Sequence, residues 1–151
     1  MEPVQTLLAL AERTLQGRGA TLQPPAEGER LAEVEAALGS KLAPSLRVFW
    51  ERHDGATAGT LRVLSVAEAL ERRAQVVDGL LPVAEDGERM FALDRQAADS
   101  EGEWPVLDAH SFDPEGTTFL RFLLAILEAE FSRKVECDPE HAPHWVAWAE
   151  S

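Results

Sequence analysis

The chain has 151 residues, 45% of them hydrophobic and 27% charged, with 27 acidic side chains against 14 basic ones and a net charge of -13. This is the composition of one folded domain, here residues 1–151, rather than of a disordered chain. The charge disfavours direct binding to nucleic acid or to an anionic membrane, which both need positive surface, and favours attraction to a basic protein. The single cysteine excludes an intramolecular disulfide and suits a cytoplasmic protein.

The first predicted helix covers Val4 to Leu15, where apolar residues recur at helical spacing, and Gly17 ends it. The same stretch does not predict a signal peptide, because it begins with Glu2 and Glu12 interrupts its apolar run. No segment approaches the roughly 20 apolar residues of a membrane span.

Two further helices are predicted before residue 55. Apolar residues from Leu31 to Leu38 have helical spacing, and Gly39 follows as a C-cap. Pro44 suits the first turn of the next helix, which the turn-forming pair Asp54-Gly55 ends.

The pattern then changes from helical to alternating periodicity. Four strands are predicted, at Thr60–Leu64, Leu80–Ala84, Arg89–Leu93 and Trp104–Leu107. Asp86-Gly87 is a hairpin-turn signal, and Ser65 with Glu68 forms a capping-box pattern that opens a short helix. Thr117–Arg133 is the longest amphipathic helix. This order predicts an α+β fold with N-terminal helices, a central, mainly antiparallel sheet of about four to six strands and a long C-terminal helix.

Acidic residues concentrate between residues 85 and 115, where ten acids face two bases. We expect this stretch to form the partner-binding face, because loops lie on the surface and often carry binding. The predicted partner-binding residues are Glu85, Asp86, Glu88, Asp94, Asp99, Glu101, Glu103 and Trp104. Trp104 is either an apolar anchor of that interface or a core residue, and the acids are either contact residues or simply solvated.

Motifs for catalysis or cofactors are missing. The sequence has no phosphate loop and no nucleophile elbow, so we expect no enzyme activity and no cofactor. Cys137, His141 and His144 could supply zinc ligands, but their spacing fits no standard site. Trp145 and Trp148 either pack a terminal helix onto the core or form a docking stripe.

The segment from Leu31 to Gly55, LAEVEAALGSKLAPSLRVFWERHDG, resembles the signature of the SUKH superfamily, and the likeness extends over residues 25–130. That superfamily includes bacterial immunity proteins and a fungal regulator of cell-wall synthesis. Its motif positions are filled here by Leu31, Glu35, Leu38, Gly39, Leu42, Phe49, Asp54 and Gly55, and Pro44 stands one place after the position of the usual proline. Two positions depart from the pattern: Ala43 stands where a proline is usual, and Leu46 where a tyrosine is common.

The resemblance implies a non-enzymatic binding module with structural roles for the motif residues. Its bacterial members neutralise toxins, often nucleases, by binding them, so the first expectation is an immunity protein for a cationic toxin. A regulatory or scaffold protein of the same fold is the second. A small enzyme or metal-binding domain that uses His141 and His144 is the third.

Overall fold

The computed structural model describes the backbone of residues 4–137 and the side chains of residues 4–129. Within this part of the chain there are five α-helices: α1 (Val4–Gly17), α2 (Gly28–Leu38), α3 (Pro44–Arg52), α4 (Val66–Arg72) and α5 (Phe119–Cys137). The seven strands are β1 (Thr21–Leu22), β2 (Ala56–Ala58), β3 (Leu61–Val63), β4 (Leu80–Asp86), β5 (Arg89–Asp94), β6 (Val106–Asp108) and β7 (Pro114–Gly116). Short 3-10 turns lie at Arg73–Gln75 and Arg95–Ala97.

The strands form one antiparallel sheet in the order β1-β2-β3-β4-β5-β6-β7, so every strand pairs with its neighbour in sequence. The predicted α+β class is confirmed, but the sheet has seven strands instead of four to six. The strands that sequence analysis missed, β1, β2 and β7, have two or three residues each. β1 has only two residues, and β2 (Ala-Thr-Ala) and β7 (Pro-Glu-Gly) consist largely of residues that are depleted in strands, so their pairing depends on the strands beside them.

The core lies between the helices and one face of this sheet. Phe122 of α5 packs on Phe91 of β5 with ring centroids 4.8 Å apart, and Phe119 meets Phe49 of α3 at 5.4 Å. Each of these four rings is at most 2% exposed, and burying one side chain of this size contributes about 1.5–3 kcal/mol. These aromatic contacts fix α3 and α5 against the sheet.

Two residues of the SUKH-like segment hold the junction between α2 and α3. Gly39 has φ 75° and closes α2 by donating its N–H to the Glu35 carbonyl. The Glu35 carboxylate accepts from the Leu42 N–H at 2.8 Å and pairs with Arg47 at 2.9 Å. Burial by itself raises the pKa of Glu35, but these partners and the charge of Lys41 together lower it below its usual value.

The Asp54-Gly55 pair connects α3 to the sheet and to α4. Asp54 accepts a hydrogen bond from the Val66 N–H at 2.8 Å and so caps α4, together with the predicted capping box of Ser65 and Glu68. Gly55 has φ 104°, and a Cβ there would lie 3.1 Å from the Val63 carbonyl oxygen. These motif residues have structural roles in the fold.

The antiparallel order gives the sheet two distinct ends. The connections β2–β3 (Gly59–Thr60), β4–β5 (Gly87–Glu88) and β6–β7 (residues 109–113) lie at one end, which we call the turn end. The connections β3–β4, which contains α4, and β5–β6 (residues 95–105) lie at the other, which we call the connection end. No helix within the described residues is long and apolar enough to cross a membrane.

Candidate functional site

The acidic stretch does not form one continuous face, because the sheet separates its members. Asp86 and Glu88 lie at the turn end, whereas Asp94, Asp99 and Glu101 lie at the connection end. The five residue steps from Arg89 to Asp94 along β5 separate the two groups by roughly 17 Å. A small partner surface would contact one group or the other.

At the connection end the carboxylates of Asp94 and Asp99 are used to shape their own loop. Asp94 accepts from the Gln96 N–H at 3.1 Å and begins the 3-10 turn. Asp99 accepts from the N–H groups of Glu101 and Glu103 at 2.8 and 3.0 Å. Such bonds satisfy loop backbone donors, so these two acids stabilise the loop's conformation.

Glu103 and Trp104 are buried, at 5% and 3% exposure. The Glu103 carboxylate accepts from the Ser45 N–H at 3.1 Å and from the Ser45 hydroxyl at 2.6 Å. Ser45 lies in the first turn of α3, whose N-cap residue, Ala43, has no side chain able to cap it. Glu103 therefore caps α3 from a distant part of the chain, and Trp104 belongs to the core, which is the second of the roles considered for it.

At the turn end, two of the predicted residues also have partners. Glu85 pairs with Arg72 at 2.8 Å, and Asp86 accepts from the Thr60 hydroxyl at 2.6 Å. The hairpin turn has shifted by one residue from its predicted position, since Asp86 pairs with Arg89 and leaves Gly87 and Glu88 at its centre. Glu88 is exposed and forms no salt bridge or side-chain hydrogen bond within the described residues.

A turn that sequence analysis did not select presents an exposed aromatic residue beside this hairpin. Phe112, in the β6–β7 connection, is 52% exposed and has φ 64°, the one positive φ of a non-glycine residue among those described. An aromatic residue seldom adopts this conformation without being held there. Ala109, at the start of the same connection, donates its N–H to the Met90 carbonyl at 2.8 Å, which places the turn next to the β4–β5 hairpin.

Asp108 holds the Phe112 turn in shape. Its carboxylate accepts from the N–H groups of His110 and Ser111 at 2.9 and 3.1 Å, while its carbonyl accepts from the Phe112 N–H at 2.8 Å. These two N–H groups lower the pKa of Asp108 below its usual value; burial opposes them, and Arg89 adds to them. A carboxylate that stays ionised under ordinary conditions thus fixes the position of Phe112.

The charge around Phe112 is negative. Arg89 is neutralised by Glu115 at 2.7 Å and by Asp108 at 3.5 Å. Asp113, next to Phe112, is exposed, and its carboxylate, like that of Glu88, has no salt bridge or side-chain hydrogen bond within the described residues. A single phenylalanine in the polar segment between a strand and a helix was the sequence signal for this site. We name Glu88, Phe112 and Asp113 the turn-end surface.

Metal chemistry finds no support in the described residues, where no group of three or more His, Cys, Asp or Glu side chains is placed to hold an ion. His141, His144, Trp145 and Trp148 lie outside the described residues. Cys137 ends α5, and its side chain also lies outside them.

No family model matches the chain, and neither does any curated protein.

Proposed function

We propose that the chain is a non-enzymatic protein-binding module that uses its turn-end surface to bind a basic protein. The observation that carries this proposal is the exposed, positioned Phe112 between carboxylates that have no cation partner within the described residues. Aromatic residues are enriched at interface cores, and charged residues are typical of the rim. Glu88 and Asp113 would supply that rim.

The two kinds of residue contribute differently to binding. Because Phe112 is 52% exposed, burying the rest of its side chain in a partner contributes about half of the value for full burial, or roughly 0.8–1.5 kcal/mol. The acids and the net charge of -13 attract a positive partner at long range, which raises the association rate and makes it depend on salt. Because Asp108 already holds the turn in place, little ordering entropy is lost when the partner binds.

The specific form that we propose is an immunity protein that neutralises a cationic toxin, with a nuclease domain as the first candidate. A nuclease cleft must attract phosphate groups and is therefore basic, so an acidic surface can occupy it. Support comes from the SUKH-like residues Leu31 to Gly55 and from the charge. A regulatory or scaffold protein with the same surface is the second candidate function, and it has the same physical support.

Gene context and a survival assay separate these two functions. The neighbouring genes of the source genome are expressed one at a time with this chain in a bacterial host. An immunity protein will restore growth against one toxic product, and a scaffold protein will restore growth against none. Restored growth with no complex between the two purified proteins would contradict neutralisation by binding.

The purified pair then tests the surface. We expect Glu88→Gln with Asp113→Asn to lower the association rate and flatten its salt dependence, and Phe112→Gly to raise the dissociation rate. Glu33→Gln with Glu128→Gln is the matched control, since it removes the same charge from exposed positions on α2 and α5. If the turn-end and control variants bind the partner alike at every salt concentration, the turn-end surface is not the interface.

A further inference from the structure

A groove at the connection end lies between the α2–α3 junction and the β5–β6 connection. Its volume is about 550 Å³, within the range of roughly 300–1,000 Å³ that is usual for ligand sites. Leu42 and Trp104 lie at its floor and are nearly buried, whereas Pro44 and Ala98 are more open. The groove therefore offers apolar contact along both loops.

Hydrogen bonds within the fold hold the two walls of the groove in place. The Glu103–Ser45 bonds at 2.6 and 3.1 Å join one loop to the other. Glu35 fixes the first wall through the Leu42 N–H, and Asp99 fixes the second through two loop N–H groups. A preformed groove binds a ligand without first ordering its own loops.

Two cations line this groove, Lys41 from the first wall and Arg95 from the second. Neither forms a salt bridge or a side-chain hydrogen bond within the described residues, although the charge of Lys41 acts on Glu35. Arg47, Arg52, Arg62, Arg72 and Arg89, by contrast, each have a salt-bridge partner. The one acid that lines the groove is Glu101. The carboxylates of Asp99 and Glu103, in the same β5–β6 connection, accept hydrogen bonds from the fold, so among the side chains that line the groove two cations face one acid.

We propose that the groove binds an extended peptide segment of a partner protein in which a carboxylate side chain stands next to an apolar one. The carboxylate lies between Lys41 and Arg95, and the apolar side chain lies against Pro44 and Ala98. The proposal rests on the proposed function, because it takes the ligand to be a protein, but it concerns the opposite end of the sheet. A polyanion does not suit this groove, since two cations beside Glu101 cannot neutralise a run of phosphates.

The test uses two peptides of equal size, acetyl-Leu-Asp-Leu-amide and acetyl-Leu-Asn-Leu-amide, titrated into the whole ¹⁵N-labelled protein and followed by NMR. We expect amide shifts confined to residues 40–44 and 95–104, with the Asn peptide binding roughly two- to fivefold more weakly, the range for an exposed ion pair. Lys41→Gln and Arg95→Gln should each weaken binding of the Asp peptide by a similar factor. Glu101→Gln should strengthen it.

Arg13→Gln is the matched control, because it removes an exposed cation from α1, outside the groove. Equal binding of the two peptides would overturn the proposal, as would shifts outside the two loops or no shifts at millimolar peptide. Weaker binding in Glu101→Gln would overturn it as well. If the peptides do not bind in the groove but the turn-end variants still change partner binding, the groove proposal is wrong and the proposed function stands. If the Asp peptide binds in the groove but the turn-end variants do not change partner binding, only the assignment of the turn-end surface as an interface is wrong.

Discussion

The hydrogen bonds between Glu103 and Ser45 provide the sharpest test of how the fold is held together. Ser45→Ala removes the 2.6 Å hydroxyl bond and leaves the buried carboxylate with one fewer donor. A hydrogen bond to a charged group contributes about 1.5–3 kcal/mol, so we expect a loss of that size in the free energy of unfolding. Glu103→Ala removes both bonds and uncovers the first turn of α3, for which we expect a loss of roughly 3–5 kcal/mol.

The double variant distinguishes this pair from a general loss of packing. Ser45 Oγ bonds to Glu103 and to no other group within the described residues, so the double variant should be about as stable as Glu103→Ala alone. The coupling energy of the cycle should then be about 1.5–3 kcal/mol. Urea unfolding gives these values, and a loss of about 2 kcal/mol corresponds to a fall of roughly 4–8 °C in Tm for a domain of this size.

Glu101→Ala is the control, since Glu101 is exposed two residues before Glu103 and should change stability by no more than about 0.5 kcal/mol. If the losses in unfolding free energy of the two single variants simply add up in the double variant, the two side chains do not stabilise each other and the assigned pair is wrong. A loss below about 0.5 kcal/mol in Ser45→Ala would refute it as well, given what a charged hydrogen bond contributes.

Three further variants test the other structural assignments by unfolding measurements. Asp108→Asn should destabilise the protein by about 1–2 kcal/mol at neutral pH. Because folding lowers the pKa of Asp108, its carboxylate stabilises the fold at pH values above the usual pKa of 3.8, and this stabilisation is lost as the pH falls through the lowered pKa. The difference in unfolding free energy between Asp108→Asn and the parent should therefore shrink at that pH. A difference that does not shrink would contradict the assignment. Gly55→Ala should lower the free energy of unfolding by more than about 1 kcal/mol, because the φ of 104° and the nearby Val63 carbonyl both disfavour a Cβ. Gly28→Ala is the control and should be nearly neutral, because the space around Gly28 is open. Phe112→Gly should leave stability within about 1 kcal/mol of the parent, since it relieves a positive φ that costs about that much; a large loss would mean that the ring packs in the core.

Local chemistry alone determined much of this fold. The apolar spacing of α1 and α5, Gly39 after α2, Pro44 at the start of α3 and the capping box of α4 are readable because each signal lies within a few residues of the element that it sets. The α+β class followed from the change in periodicity after residue 55.

Only the tertiary structure decided which acids remain available for binding. Glu103 accepts hydrogen bonds from Ser45, which lies 58 residues earlier in the chain. Arg72 at the end of α4 pairs with Glu85 of β4, beyond the connection between these two elements. Charge in a sequence does not show which carboxylates the fold will pair with distant donors. The two ends of the sheet are likewise set by strand pairing, which depends on contacts between residues far apart in the chain. The strand order therefore assigns the acidic stretch to two surfaces, and it places Phe112, rather than Trp104, at the surface.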